Sequence, residues 1–334
     1  MNNIDNIDNI DFVIPWVDPN DFKWQENFKK YKYKHDIACD PRFREWDNLK
    51  YWFRSIEKNA NWVNKIHFIT CGHLPSWLNK NNPKLNIVYH HDYIPNIYLP
   101  TFSSHVIEIN IAKIKGLSEK FVYFNDDTFV INKITPDFYF RNNLPCDAYI
   151  ANVITPDGDY SKYLANNLEI ICSHFDKSSF YKKQYKKIFN FQYGKFNLNN
   201  LILFPWSKFT GFKNFHLPQP FMKKIFLEIY KHEDRSIHNT CINKFRSITD
   251  INQYLFRDWQ LVTGQFFPKD IHSTGITVSP NSNNLNHAIN SINNKKIKCI
   301  CINDSAIVDQ FENIKNTINS ELDKLFPEKS TFEM

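Results

Sequence analysis

The amino-terminal third of the chain switches repeatedly between a hydrophobic period of about two residues and one of about 3.6. From Asn9 to Val17 the apolar positions build a strand, which breaks at Asp18-Pro19-Asn20. Trp46, Leu49, Trp52, Phe53 and Ile56 recur at helical spacing and predict a helix over 46–60. Lys65–Cys71 and Asn86–His90 read as the second and third strands, and Pro75 opens a short helical turn between them. Ser103 or Ser104 caps a helix that runs to Gly116. Phe121-Val122-Tyr123-Phe124, aromatic and β-branched, is a buried fourth strand. This alternation over 9–127 predicts an α/β fold, a mostly parallel sheet of nucleotide-binding topology with helices on both faces.

Beyond Asp147 the pattern loosens. Ala148–Ile154 reads as a strand leaving the main sheet toward a largely helical insertion at roughly 155–215. Inside it, Phe180 to Phe189 interleaves aromatics with lysines. Such a stretch rests on a membrane surface, grips a polyanionic glycan, or packs its aromatics inward with the lysines solvated. Pro218–Lys231, Ile251–Phe266 and Ile307–Leu325 read as helices, Lys296–Ile302 as a late strand, and Asn281–Asn294 as a surface loop. The length, 334 residues, accommodates one catalytic domain with a 9–150 half, the insertion, and a 216–334 half.

Composition narrows the chemistry. Hydrophobic residues at 42% and aromatics at 16% supply a sizeable core. Only 7 glycines occur, with no G-x-x-x-x-G-K and no G-x-G-x-x-G, which argues against P-loop and dinucleotide-binding proteins. A net charge of +6 suits an anionic substrate or an acidic membrane surface. No nucleic-acid-binding module is recognisable. The cysteines, at 39, 71, 146, 172, 241, 299 and 301, are odd in number and lack C-x-x-C spacing, as expected of reduced thiols. Met1–Ile10 is polar and acidic, unlike a signal peptide, and no apolar run approaches the ~20 residues of a membrane helix. A cytoplasmic protein is expected, with peripheral contact to the inner membrane face as a further option.

The fourth strand ends in Asn125-Asp126-Asp127, where open α/β sheets place ligands. Adjacent side chains on a strand diverge, so both acids share a ligand only where the strand breaks into a turn. There they suit Mg²⁺ or Mn²⁺ carrying a diphosphate; otherwise they cap the turn. Trp16 and Asp18 end the first strand, with Asp18 either contacting a nucleotide or capping a turn. His105 and Glu108 share a helix face, as an oriented imidazole or a surface pair. His216 stands on an extended segment before a helix, able to meet a phosphoryl oxygen. Arg246 suits a phosphate clamp or an ion pair with Asp250.

Four ordered blocks carry a resemblance. They are Ile10–Asp18; Arg42–Leu49 continuing through Trp62–Ile66 and Thr101–His105 to Asn125-Asp126-Asp127; His216 through Arg246 to Leu261; and Asn303-Asp304 with the tail Phe326–Glu333. Together they resemble the Stealth family, which includes bacterial capsular polysaccharide phosphotransferases and the catalytic subunit of animal N-acetylglucosamine-1-phosphotransferase. The match runs from Ile10 to Glu333; Pro15 and Pro19 depart from the family's first block and leave its turn geometry open. The short length suggests a bare catalytic unit, similar to the bacterial members.

The resemblance implies a GT-A-like sheet and transfer of a hexose or N-acetylhexosamine 1-phosphate from a UDP-sugar, such as UDP-N-acetylglucosamine. The acceptor would be a hydroxyl of a capsular glycan or lipid-linked oligosaccharide, with UMP leaving. It implies Mg²⁺ or Mn²⁺ on Asp126 and Asp127, a phosphoryl grip by His216 and Arg246, and a base among Asp47, Asp250, His105 and the acid pair. Trp16, Asp18, Arg44, Arg54, Ser104, Asn125, Asn303 and Asp304 would contact substrates. The alternatives are a metal-dependent glycosyltransferase releasing UDP and a non-catalytic glycan-binding assembly protein.

Overall fold

A computed structural model describes residues 9–31, 44–304 and 310–334. Cys39, Arg42, Phe43 and positions 307–309 of the expected last helix lie outside the described residues.

The first half folds in the order β1 (Ile10–Pro15), α1 (Phe22–Tyr31), α2 (Leu49–Asn59), β2 (Ile66–Thr70), β3 (Leu85–Tyr89), α3 (His90–Tyr93), α4 (Ser104–Ile109) and β4 (Lys120–Tyr123). β1 is parallel to β2 on one side and to β4 on the other, and β2 is parallel to β3. Central parallel strands are covered on both faces, which is why β1, β2 and β4 read as near-continuous apolar runs. Within β1 the exception is Asp11, fully buried, which accepts hydrogen bonds from Asn64 Nδ2, His67 Nε2 and the Ser118 N–H. Burial opposes its charge, but these donors, His67 foremost, hold its pKa below the ordinary carboxylate value.

β5 (Thr128–Val130), β6 (Phe140–Arg141) and β7 (Leu144–Asp147) follow, then α5 (Gly158–His174), α6 (Lys177–Ile188) and α7 (Asn197–Leu203) of the insertion. The last third runs β8 (Gln219–Met222), α8 (Lys223–His232), α9 (Asp234–Cys241), α10 (Tyr254–Val262), β9 (Phe267–Pro268), β10 (Gly275–Val278), α11 (Leu285–Ile292), β11 (Cys299–Ile302) and α12 (Phe311–Leu325). The main sheet has the order β3-β2-β1-β4-β8, and smaller sheets are ordered β10-β11-β5 and β6-β7-β9.

The expected α/β architecture with a mostly parallel sheet is present, but several elements differ from expectation. Pro218–Lys231 is a strand and then a helix, because Pro220 lies in β8, the antiparallel edge strand where a missing N–H is tolerated. Ala148–Ile154 forms no strand beyond one bridge at Ala151. The turn expected at Pro75 is by contrast present, closed by the Leu78 N–H on the Pro75 carbonyl. The helix expected to reach Gly116 stops at Ile109, and Ser103 occupies its cap position without a side-chain cap bond. The asparagine-rich 281–294 segment is not wholly loop, since Leu285–Ile292 is helical and buries Ala288 and Ile292.

The carboxyl-terminal tail closes the outer face of α2. Arg54 donates to both Glu333 oxygens at 2.8 Å and to the Phe326 carbonyl, while Phe53 packs on Phe332 at 5.2 Å. Both side chains of the ion pair are nearly buried. Arg54→Ala strands a buried carboxylate, so it is expected to cost about 3 kcal/mol or more of unfolding free energy in a urea titration. Replacing Arg54 and Glu333 together by apolar residues should cost less than the single change.

Candidate active site

The chain leaves the main sheet where β4 ends. The Phe124 N–H still bonds to the Val13 carbonyl, but the Thr128 N–H turns back to the Asn125 carbonyl at 3.1 Å. The Thr128 hydroxyl bonds to the same carbonyl, and β11 secures the exit through Ile302 N–H to the Asp127 carbonyl. The two acids therefore sit on a turn between two sheets, the circumstance in which neighbouring side chains reach one cleft.

His216 meets them from another segment. Its Nε2 lies 3.0 Å from Asn125 Nδ2 and 3.7 Å from Asp127 Oδ2. The residue is left-handed (φ +49), not extended as expected, and Thr277 of β10 bonds through its hydroxyl to the carbonyls of Phe215 and His216. Asp127 Oδ2 also accepts from the Cys301 thiol at 3.3 Å. Burial, with the nearby charge of Asp127, pushes that thiol's pKa well up, so it stays protonated. Asp127 Oδ1 is buried and has no hydrogen-bond partner.

Asp126 is exposed on this turn. Desolvation, then the charges of Asp127 and Glu45, raise its pKa to about 7. Glu45, half-buried, is pushed to about 7 by burial, with Asp47 and Asp18 adding to the rise. Its Oε1 accepts the Asp47 N–H at 2.9 Å, which secures the left-handed turn at Asp47. Trp16 lies against Phe68 and His73. Glu45 was not singled out in the sequence, where one acid between Arg44 and Trp46 carries no pattern of its own.

A second group gathers around the start of α4. Arg246 Nη2 donates to Ser104 Oγ at 2.6 Å. Asp250, fully buried, accepts from His105 Nδ1 at 2.9 Å, from the Ser247 N–H and from Asn243. A carboxylate there makes Nδ1 the protonated nitrogen and Nε2 the basic one. Two pairings expected as alternatives thus give way: Asp250 holds His105 rather than Arg246, and Glu108 accepts from Tyr123 rather than pairing with His105 on the surface. Tyr123, at the end of β4, donates to Glu108 on α4, so the strand that ends in the acid pair packs on the helix that begins at Ser104.

Other candidates stand further out. Arg44 and Asp304 pair with each other at 2.9 Å, and Trp46 Nε1 also donates to Asp304. Asn303 is held by its N–H on the Val278 carbonyl. Asp18 Oδ1 caps its own turn at the Asn20 N–H, while its backbone N–H donates to His73. Asp47 is exposed and paired with Lys315, and Arg54 belongs to the tail contact described above.

Comparison with known proteins adds an independent line. The family model described as Stealth protein CR2, conserved region 2, matches residues 42–147. A capsular polysaccharide phosphotransferase, WcwK of Streptococcus pneumoniae, is 43% identical over 98% of this chain and 99% of its own. The exopolysaccharide phosphotransferase cps2G of Lactiplantibacillus plantarum is 37% identical over 97% of this chain and 96% of its own. The receptor polysaccharide phosphotransferase WefC of Streptococcus gordonii is 35% identical over 98% of this chain and 100% of its own.

The raised carboxyl pKa at Glu45 has a definite linkage sign. Between its unfolded value near 4.5 and its folded value of about 7 the native state holds a proton that the unfolded chain has lost. Stability therefore falls as pH rises through that window. With divalent ions chelated, the unfolding midpoint should drop between pH 5 and pH 8, and Glu45→Gln should flatten the drop in thermal melts at stepped pH.

Proposed function

The chain belongs to the Stealth family of phosphotransferases, and on that premise we propose that it transfers a sugar 1-phosphate from a UDP-sugar to a hydroxyl of a capsular or cell-surface glycan. UMP leaves and a phosphodiester forms. The observation that carries this reading is the meeting of Asn125, Asp127 and His216 at the end of β4. On this reading the main sheet is a GT-A-like nucleotide-binding sheet, with the uridine end at Trp16 and Asp18.

Mg²⁺ or Mn²⁺ fits the acid pair. Asp127 Oδ1 is a buried carboxylate oxygen with a free lone pair, and Asp126 stands next to it with a charge its surroundings do not compensate. The two carboxylates supply the hard oxygens such a cation prefers, while the Cys301 thiol donates to Asp127 and the His216 ring lies beside it. Bound there by Asp126 and Asp127, the cation would neutralise diphosphate charge and stabilise the departing UMP.

The chain's own groups do the rest. The acceptor oxygen forms a bond to the β-phosphorus while the bond from that phosphorus to the bridging oxygen breaks, and the electron pair leaves with UMP. Arg246, fixed by Ser104, and His216, fixed by Asn125, hold the equatorial oxygens of the transferring group. The acceptor proton passes to His105 Nε2, which Asp250 orients. Asp250 is saturated with donors and Asp47 is engaged by Lys315, so neither competes well for that role.

Incubation with a panel of UDP-sugars and a short glycan acceptor should yield UMP and a phosphodiester resonance in phosphorus NMR. Stoichiometric UDP without that resonance would establish glycosyl transfer instead. Arg246→Ala and His216→Ala should each lower kcat by about 10² or more with unfolding still cooperative. Mg²⁺ should raise the thermal midpoint of the wild type and leave Asp127→Asn unmoved; a response to Zn²⁺ alone would reassign the site to Asp127, His216 and Cys301, whose donor atoms lie within 4.8 Å of one another.

A further inference from the structure

We propose that the insertion docks on an anionic lipid bilayer through an apolar, lysine-rimmed surface built by α7 and the turns that flank it. This rests neither on the identity of the donor nor on the reaction type.

Along α7, Leu198, Leu201 and Ile202 lie at helical spacing on one face and are all exposed, while Asn200 and Leu203 on the other are buried. Phe191 before the helix is 85% exposed and Trp206 after it 55%. Phe189, at the end of α6, meets Phe204 at 6.4 Å, so the two ends of the segment form one continuous patch. α6 itself behaves as an ordinary amphipathic helix, burying Phe180, Tyr181 and Ile188. The unpartnered apolar surface therefore belongs to the segment after it, where soluble monomers rarely leave large side chains together.

The charge along this segment of sequence has one sign. From Lys177 to Lys208 the sequence holds seven lysines and no aspartate or glutamate, although the chain as a whole carries 35 acids in 334 residues. Lys177 is internal, bonding to the carbonyls of Leu203 and Trp206 and so fixing the end of α7. Lys182, Lys183, Lys186, Lys195 and Lys208 are exposed.

That combination selects the occupant. A second copy of the chain would bring two lysine rims together, and protein interfaces are depleted in lysine. A polyanionic glycan would pair with the lysines but gain little from leucine and isoleucine. Acidic headgroups over acyl chains take both: apolar side chains enter the boundary, tryptophan sits at headgroup depth, and lysine stems reach back to phosphate. No helix among the described residues is long and apolar enough to cross a membrane, so the contact is interfacial. The patch also adjoins the cleft. Phe196 at the foot of α7 packs on Phe215 at 6.1 Å, immediately before His216, and Lys213 lies over both rings. An acceptor carried on a lipid would thus be offered beside the phosphoryl site.

The full chain should cosediment with phosphatidylglycerol-containing vesicles and much less with pure phosphatidylcholine, with binding weakened by salt. Leu201→Ser with Ile202→Ser, and separately Lys182→Gln with Lys183→Gln and Lys186→Gln, should each weaken vesicle binding by roughly tenfold. Both sets should leave the circular dichroism spectrum and turnover of a water-soluble acceptor unchanged, which separates loss of docking from loss of chemistry. Absence of vesicle binding, or binding indifferent to both sets, would overturn the proposal. So would a wild-type dimer in sedimentation equilibrium that Leu201→Ser dissociates, or binding to a soluble anionic glycan with none to vesicles.

Discussion

Everything in the cleft depends on one passage of backbone, the four residues over which the chain leaves the main sheet for the second. Asn125–Thr128 is clamped on both sides: Phe124 is still paired with β1, while Asp127 already bonds to β11. Between these anchors the turn spends its peptide groups on itself, through Thr128 to the Asn125 carbonyl. Two consecutive carboxylates are thereby held where a regular strand would have sent one to each face. Desolvation, and then the neighbouring charges of Asp127 and Glu45, push the pKa of Asp126 up to about 7. A divalent cation bound there, as proposed, would oppose that rise.

The cleft is assembled over long sequence distances, and this decides how much of it was legible beforehand. The strands β1, β2 and β4 announced themselves because burial on both faces leaves an apolar run, and the polar residues at their ends stood out by contrast. The contact of His216 with Asn125 spans 91 positions, and that of His105 with Asp250 spans 145. No local period encodes either. The residue types were recognised, but their partners were set by topology. Glu108, adjacent on the same helix face, was the natural local partner for His105; the fold instead gave it to Tyr123 and brought Asp250 from a distant loop.

The misread elements share a cause as well. Pro218 just before β8 and Pro220 within it suit a helix start in isolation and an edge strand only when β4 is beside it. The left-handed backbone at His216 is held by the Thr277 hydroxyl on the Phe215 and His216 carbonyls, a tertiary contact again. Arg54 resembled a substrate contact because it falls inside a matched block, yet its helix face looks to the tail, where Glu333 and two carbonyls saturate it. A matched block marks residues that the fold uses, and packing uses them as readily as chemistry does.

The distribution of charge bears on which reaction the cleft supports. An acid pair with a cation stabilises a departing nucleotide phosphate whether the attacked atom is carbon or phosphorus, so Asp126 and Asp127 are neutral between the two. Glycosyl transfer builds positive charge at the anomeric centre, and a guanidinium helps it only at the departing diphosphate. Transfer of the phosphoryl group keeps negative charge on its equatorial oxygens, where fixed N–H donors remain favourable throughout. Arg246 bonds to Ser104, is exposed and has no carboxylate partner among the described contacts, and His216 is held by Asn125 with its ring beside Asp127. The left-handed backbone that places the His216 ring suits a negatively charged transferring group. The phosphotransferase relatives weigh on the same side.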